Sequence, residues 1–358
     1  MTPAYLAYAP VALGLAAVAT PIAIQVARRL DIMDHPDTLL KPHARAMPYL
    51  GGVAMGLAWA GAILAATLFS PLKLPPMLGW IVGGGLAIAA LGTVDDKKHI
   101  SPKLRLALST IIVGGVMVAS GAGMQIGQVV AGMVGLDLPI AVAVPLSLGV
   151  GVFIVLGACN STNLIDGLDG LCAGVSCVVC VVYFLLGAAL MPQMPGDAAK
   201  ARLILAAAMT GATGGFLLWN FKPAKIFMGD GGSLLLGFNS GMLMLLFADA
   251  PDARWLLGAL VIFTLPVFDT ALAMFRRWNS GKPIFVGDRS HFYDQLVQRG
   301  LTVRQTVLVC YAVTAAFGAI GLIVIWTPPW PALLIFAGVA LLTWTLAHAA
   351  GMTRGAGE

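Results

Sequence analysis

Eleven long apolar runs dominate this chain, at about 5–27, 48–70, 77–94, 105–122, 142–159, 171–190, 203–220, 233–248, 255–275, 305–326 and 331–350. A run of roughly 20 apolar residues is long enough to cross a bilayer as a helix, because only a helix or a closed barrel satisfies its own backbone in lipid. A barrel would show alternating ten-residue segments, and these runs are continuous. The expected fold is therefore all-α: a polytopic membrane protein with about 10–11 transmembrane helices, forming one domain over residues 1–358. Only 10% of the residues are charged, against roughly 25% in soluble domains. The Gly-rich stretch 123–141 reads as a short re-entrant or surface element. The first run lacks a basic leader and reads as a membrane helix rather than a cleaved signal. The five cysteines lie in or beside apolar runs without paired CxxC spacing, which makes zinc an unlikely ligand and small apolar packing the simpler role.

Basic residues set the expected orientation. With the N-terminus outside and alternating spans, only Lys73, Lys200, Arg202 and Arg254 of the 21 Lys and Arg fall on the outer side. The acidic residues Asp95, Asp96, Asp166, Asp169, Asp230 and Asp288 fall on the inner side, and Asp269 lies near the inner end of its span. Any active site is expected to face the cytoplasm.

The densest polar stretch is Asn160-Ser161-Thr162-Asn163-Leu164-Ile165-Asp166-Gly167-Leu168-Asp169-Gly170-Leu171. Carboxylates beside a bilayer are costly unless a cation or ligand compensates them. A plain turn needs the Gly and Asn but not the acids. The pair Asp95-Asp96 at a helix end suits a hard cation: Mg²⁺ takes oxygen ligands, often one or two carboxylates plus substrate phosphates. A solvated helix end is the plainer alternative. In Phe227-Met228-Gly229-Asp230-Gly231-Gly232-Ser233, glycines expose N–H groups at a helix start, which favours anions. Asp230 could hold a metal, or Asp230 or Ser233 could simply cap the helix. Two basic loops complete the set. Lys41, His43 and Arg45 precede Gly51-Gly52, and Arg289 and His291 lie in the long loop 276–304. Cations and aromatics there suit an anionic substrate, although positive-inside bias explains several of them.

These residues resemble the polyprenyl-phosphate N-acetylhexosamine-1-phosphate transferase family over essentially the whole chain. Asp95-Asp96, Asn160-x-x-Asn163-x-x-Asp166-Gly167-x-Asp169-Gly170-Leu171 and Phe227-Met228-Gly229-Asp230-x-Gly232-Ser233 follow the family's motifs in order. The resemblance implies catalytic roles for Asp95, Asp96, Asp230 and His291. It implies Asp230 as main Mg²⁺ ligand, with Mn²⁺ as a substitute, and Asp95 and Asp96 on the metal and the lipid phosphate. Asn160, Asn163, Asp166, Gly167, Asp169 and Asn220 would line the nucleotide-sugar pocket, with Lys41, His43 and Arg289 on phosphates. The last loop departs from the family's histidine-rich run: only His291 is kept, followed by Phe292-Tyr293-Asp294. Its basic context is nearer the N-acetylglucosamine enzymes than the pentapeptide transferases.

The implied partners are a UDP-N-acetylhexosamine, a polyprenyl phosphate and the bacterial inner membrane, with a homodimer admitted and nucleic acid not expected. The implied reaction moves sugar 1-phosphate, most simply GlcNAc 1-phosphate, to the lipid and releases UMP, opening cell-envelope glycan synthesis. Transfer of phospho-MurNAc-pentapeptide is the alternative substrate. A secondary transporter is the rival class, but transporters place acids mid-span and often carry inverted repeats. A purely structural membrane protein would need none of these acids.

Overall fold

A computed structural model describes residues 3–35, 46–69, 73–250, 252–281 and 291–353. The chain is helical almost throughout. The helices are α1 (Pro3–Leu6), α2 (Tyr8–Arg29), α3 (Gly51–Phe69), α4 (Pro76–Lys98), α5 (Pro102–Ser120), α6 (Ile126–Gly132), α7 (Ile140–Ile165), α8 (Leu171–Leu190), α9 (Asp197–Asn220), α10 (Gly229–Ala248), α11 (Arg254–Ile262), α12 (Thr264–Asn279), α13 (Phe292–Gln298), α14 (Val303–Val324) and α15 (Pro329–Ala349). The two strands, β1 (Met33–Asp34) and β2 (Met47–Pro48), pair antiparallel with Met33 opposite Pro48.

Among the described residues, nine helices are long and apolar enough to cross a membrane, and α11 with α12, bent by 68°, makes a tenth candidate span. Helix α3 is a further apolar helix. All eleven apolar runs are thus helical, and 123–141 contains the short α6. Starts and stops have local causes. Proline opens α4, α5 and α15, where its missing N–H costs nothing. Thr302 and Gln305 form a reciprocal capping box on α14. Gly121 ends α5 in the left-handed region.

Helix α10 is the central post. Its apolar window is wholly enclosed, whereas the corresponding window of α15 is 11% buried. It packs on α3, α4, α7, α8 and α9. Small residues permit that proximity, as in many membrane bundles. A methyl at Gly92 of α4 would lie 2.6 Å from the backbone of Asp230 and Gly231, and one at Gly52 of α3 would collide with the backbone of Gly232. Two backbone hydrogen bonds, Gly51 N–H to Phe227 (3.0 Å) and Gly52 N–H to Met228 (2.9 Å), fix the start of α3 to the start of α10. A third, Phe227 N–H to Pro48 (2.9 Å), ties in β2.

Candidate active site

Asp95, Asp96, Asn160, Asn163 and Asp230 belong to helices, whereas Asp166 and Asp169 lie in the turn after α7. Nothing breaks α7 before Gly167, so Asn160–Ile165 is its last stretch and the turn is confined to 166–170. Asp95 and Asp96 close α4, and Asp230 is the second residue of α10. Neither Asp230 nor Ser233 is the N-cap of α10: that position is Met228, and no side chain caps it. The Asp230 carboxylate is therefore left for other partners.

Those partners bring three motifs together. Arg105, in the first turn of α5, places Nη1 2.9 Å from Asp95 Oδ2 and 2.9 Å from Asp230 Oδ2. Asn163 donates its carboxamide N–H to Asp230 Oδ1 (2.8 Å) and to Ser233 Oγ (3.0 Å). Ile100 N–H donates to Asp95 Oδ1 (2.7 Å). Asp96 turns elsewhere: it accepts from Asp230 N–H at 3.0 Å and from the Tyr49 hydroxyl. Burial first, then the surrounding carboxylates, raise the Tyr49 phenol well above its ordinary range, so it stays a donor. Asp95, Asp96, Asp230 and Tyr49 face a cavity of about 450 Å³, also lined by Met33, Asp34, His35, His99 and Ile100.

Asp166 lies just past the end of α7. Desolvation, then the charges of Asp230, Asp96 and Asp169, push its carboxyl up to about 8. It is therefore mostly protonated at neutral pH in the absence of added cations.

The other expected pocket residues sit around this centre. Asn160 is exposed one turn earlier on α7, its carboxamide donating to Leu156 O at 2.7 Å. Gly167 lies directly under Tyr293, with no room for a side chain. Asp169 accepts from Ala224 N–H (3.0 Å) and pairs with Lys222 (3.2 Å). Asn220, 4% exposed, accepts from Gly170 N–H (3.1 Å) and donates to Ile226 O (2.9 Å), so both ends of its carboxamide hold backbone. These contacts brace the 166–170 and 221–226 turns against each other. Lys41, His43 and Arg289 lie outside the described residues.

His291 belongs to a second group. Its Nδ1 is 2.8 Å from Asp269 Oδ2, and Phe292 N–H donates to Asp269 Oδ1 at 2.6 Å. Asp269 is 1% exposed and His291 5%. The imidazole stacks on Tyr293, centroids 5.4 Å apart, and the Tyr293 hydroxyl donates to Leu164 O at 3.0 Å. Thus the bent α12, the loop histidine and the end of α7 are linked. A buried carboxylate on one imidazole nitrogen fixes how the ring presents the other.

Arg105, Tyr49 and Asp269 were not singled out by the sequence as site residues. Arg105 reads there as one more inner-side cation. Its signal is the short connector 99–101, which returns α5 beside the end of α4.

Among the described residues no three acidic, His or Cys side chains converge as a ready-made metal centre. A hard cation needs only one or two carboxylates when a substrate supplies the remaining oxygens. Asp95 and Asp230 fit that role: both present an oxygen to a single cationic group, that of Arg105, beside the cavity.

Residues 78–248 match the model of "Glycosyl transferase family 4". A protein of Bacillus subtilis (strain 168) named "Probable undecaprenyl-phosphate N-acetylglucosaminyl 1-phosphate transferase" is 30% identical over 339 residues, covering 94% of this chain and 89% of its own. The "Decaprenyl-phosphate N-acetylglucosaminephosphotransferase" of Mycolicibacterium smegmatis is 31% identical over 77% of this chain and 72% of its own. A "Phospho-N-acetylmuramoyl-pentapeptide-transferase" of Kocuria rhizophila is 36% identical over 54% of this chain and 60% of its own. With its acidic motifs gathered at one end of an apolar bundle and relatives of this kind along most of its length, the chain belongs to glycosyl transferase family 4, the polyprenyl-phosphate N-acetylhexosamine-1-phosphate transferases that its motifs resemble.

Proposed function

We propose that this protein transfers GlcNAc 1-phosphate from UDP-GlcNAc to a polyprenyl phosphate in a bacterial inner membrane, releasing UMP as cell-envelope glycan synthesis begins. The observation that carries this reading is the meeting of Asp95, Asp230 and Arg105 at the cavity beside Asp96. The Bacillus and Mycolicibacterium relatives, which span most of the chain, bear N-acetylglucosamine names, whereas the Kocuria pentapeptide transferase matches about half of it. The inner-side bias of Lys and Arg supports an N-terminus outside and a cavity facing the cytoplasm.

The lipid phosphate needs little activation, since a phosphate monoester has a second pKa of about 6. The harder task is bringing two anions together in line. A lipid phosphate oxygen attacks the sugar-bearing phosphorus, a new P–O bond forms, and the bridging P–O bond breaks with its electrons going to UMP. Arg105 offers a positive charge next to the cavity-lining Asp95 and Asp230. Asp95 is placed to take a residual proton from the acceptor. Asp269 holds His291 Nδ1 and so sets the orientation of the imidazole that the last loop contributes. Asp95 and Asp230 would hold Mg²⁺, which supplies charge neutralisation of the diphosphate when bound.

The test is lipid-dependent UMP release by the purified chain with UDP-GlcNAc and, in parallel, with UDP-MurNAc-pentapeptide. Release from the first donor alone supports the reading. Release from the second alone overturns the substrate, and release from neither reopens the transporter class.

A further inference from the structure

Each of the two cavity-lining carboxylates that meet Arg105 is held by one oxygen and offers the other. Asp95 Oδ1 is fixed by Ile100 N–H, and Asp230 Oδ1 by Asn163. The remaining oxygens, Oδ2 of both, turn to the same nitrogen of Arg105 at 2.9 Å. Both of these donors are neutral: one is a backbone N–H of the 99–101 connector, the other the carboxamide of Asn163 on α7. Among the described residues the guanidinium is the one charged partner, and it sits on a long side chain that is 25% exposed. A divalent ion bridging Asp95 and Asp230 would need the same two oxygens, and two cations cannot share them at contact distance without strong repulsion.

We propose that Arg105 is the resident counter-cation of the Asp95–Asp230 pair: it neutralises the pair when no metal is bound and is displaced when a divalent cation enters. Arg105 thereby competes with the metal and lowers its affinity in the absence of substrate. Displacement frees a guanidinium beside the cavity at the moment the metal arrives. The inference rests on the reading of Asp95 and Asp230 as metal ligands, but it does not depend on which sugar is transferred.

The experiment titrates Mn²⁺ alone into the purified full-length chain, without nucleotide or lipid, and follows free Mn²⁺ by electron paramagnetic resonance. Arg105→Gln should bind Mn²⁺ about tenfold more tightly than wild type, a typical coupling between two ligands of one protein. Arg105→Lys, which keeps a cation, should stay near wild type. Equal or weaker Mn²⁺ binding by Arg105→Gln overturns the proposal. A second measurement needs no variant. Phenylglyoxal labelling of Arg105, read by mass spectrometry, should rise when Mn²⁺ saturates the wild-type protein, and unchanged labelling overturns the proposal. Neither readout requires turnover, so failure of the transferase reading would be seen separately, in the UMP assay.

Discussion

Replacing Gly92 by alanine adds one methyl group where α4 meets the start of α10. The new carbon would sit 2.6 Å from the Asp230 carbonyl carbon and 2.6 Å from Gly231 N. Carbon contacts relax at about 3.5–4.0 Å, so the helices must separate by roughly 1 Å. The atoms in the way are backbone and cannot rotate aside. Asp96 accepts from Asp230 N–H at 3.0 Å across this seam, and a shift of about 1 Å takes that contact beyond hydrogen-bond range. Overpacking of this kind costs about 1–3 kcal/mol of stability. A displacement of about 1 Å at reacting groups costs on the order of 10²-fold in rate. The assay is UMP release from UDP-GlcNAc with undecaprenyl phosphate, alongside thermal unfolding in detergent. Gly83→Ala on the same helix is the control, because a methyl there meets nothing within 4 Å. Turnover by Gly92→Ala within about twofold of wild type would refute the reasoning, since it scores the seam far below the ~10²-fold expected. So would an equal loss in the control.

Asp230→Asn should lower kcat by at least about 10²-fold, the scale of losing one preorganised electrostatic group; Asp95→Asn with near-normal turnover would reject both the proton-accepting and the metal-holding role of Asp95 and leave the metal role to Asp230. Asp269→Asn leaves a carboxamide that cannot accept from both His291 and Phe292 N–H, and it should cost about 1–3 kcal/mol of stability as well as turnover. Kinetics of His291→Gln and of the double variant check this: an Asp269→Asn effect that persists undiminished in the His291→Gln background would show that Asp269 does not act through the imidazole. Asp166 titrates at about 8 in the folded chain and near ~3.9 when unfolded, so between those values the folded state holds a proton that the unfolded state has lost. Its contribution to stability should therefore fall as pH rises through that window. Thermal unfolding of wild type and Asp166→Asn across pH 5–9 (roughly that window) should show wild type losing ground to the variant as pH increases, and a pH-independent gap would sink the assignment.

How much of this was legible in the sequence differs by level. Hydropathy located every long helix, because a span must be apolar over its whole length whatever it packs against. It did not show that the run ending near 159 continues to Ile165, since the polar residues of that last stretch look like a loop until their hydrogen bonds are seen. The bend between α11 and α12 had a local sign in Pro266, within the first turn of α12. The acids at 95, 96, 166 and 230 stood out through their cost in such a chain. Their division of labour did not. Arg105 and Asp230 are 125 residues apart in sequence, and no periodicity encodes which of the inner-side cations reaches a given carboxylate. Asn220 and Asp169 came with the motif resemblance as pocket residues. Their backbone partners at 170, 224 and 226 depend on how two turns close on each other, which spacing alone does not give.

The most direct test of the central claim follows the phosphate as well as the sugar. UDP-GlcNAc carrying label separately in the sugar and in the β-phosphate is incubated with the purified protein, Mg²⁺ and undecaprenyl phosphate. The account predicts that both labels move together into the lipid, with one UMP released for each transfer. Sugar label in the lipid with β-phosphate left on released UDP would mean that the bond to the sugar carbon breaks instead, and would contradict the account.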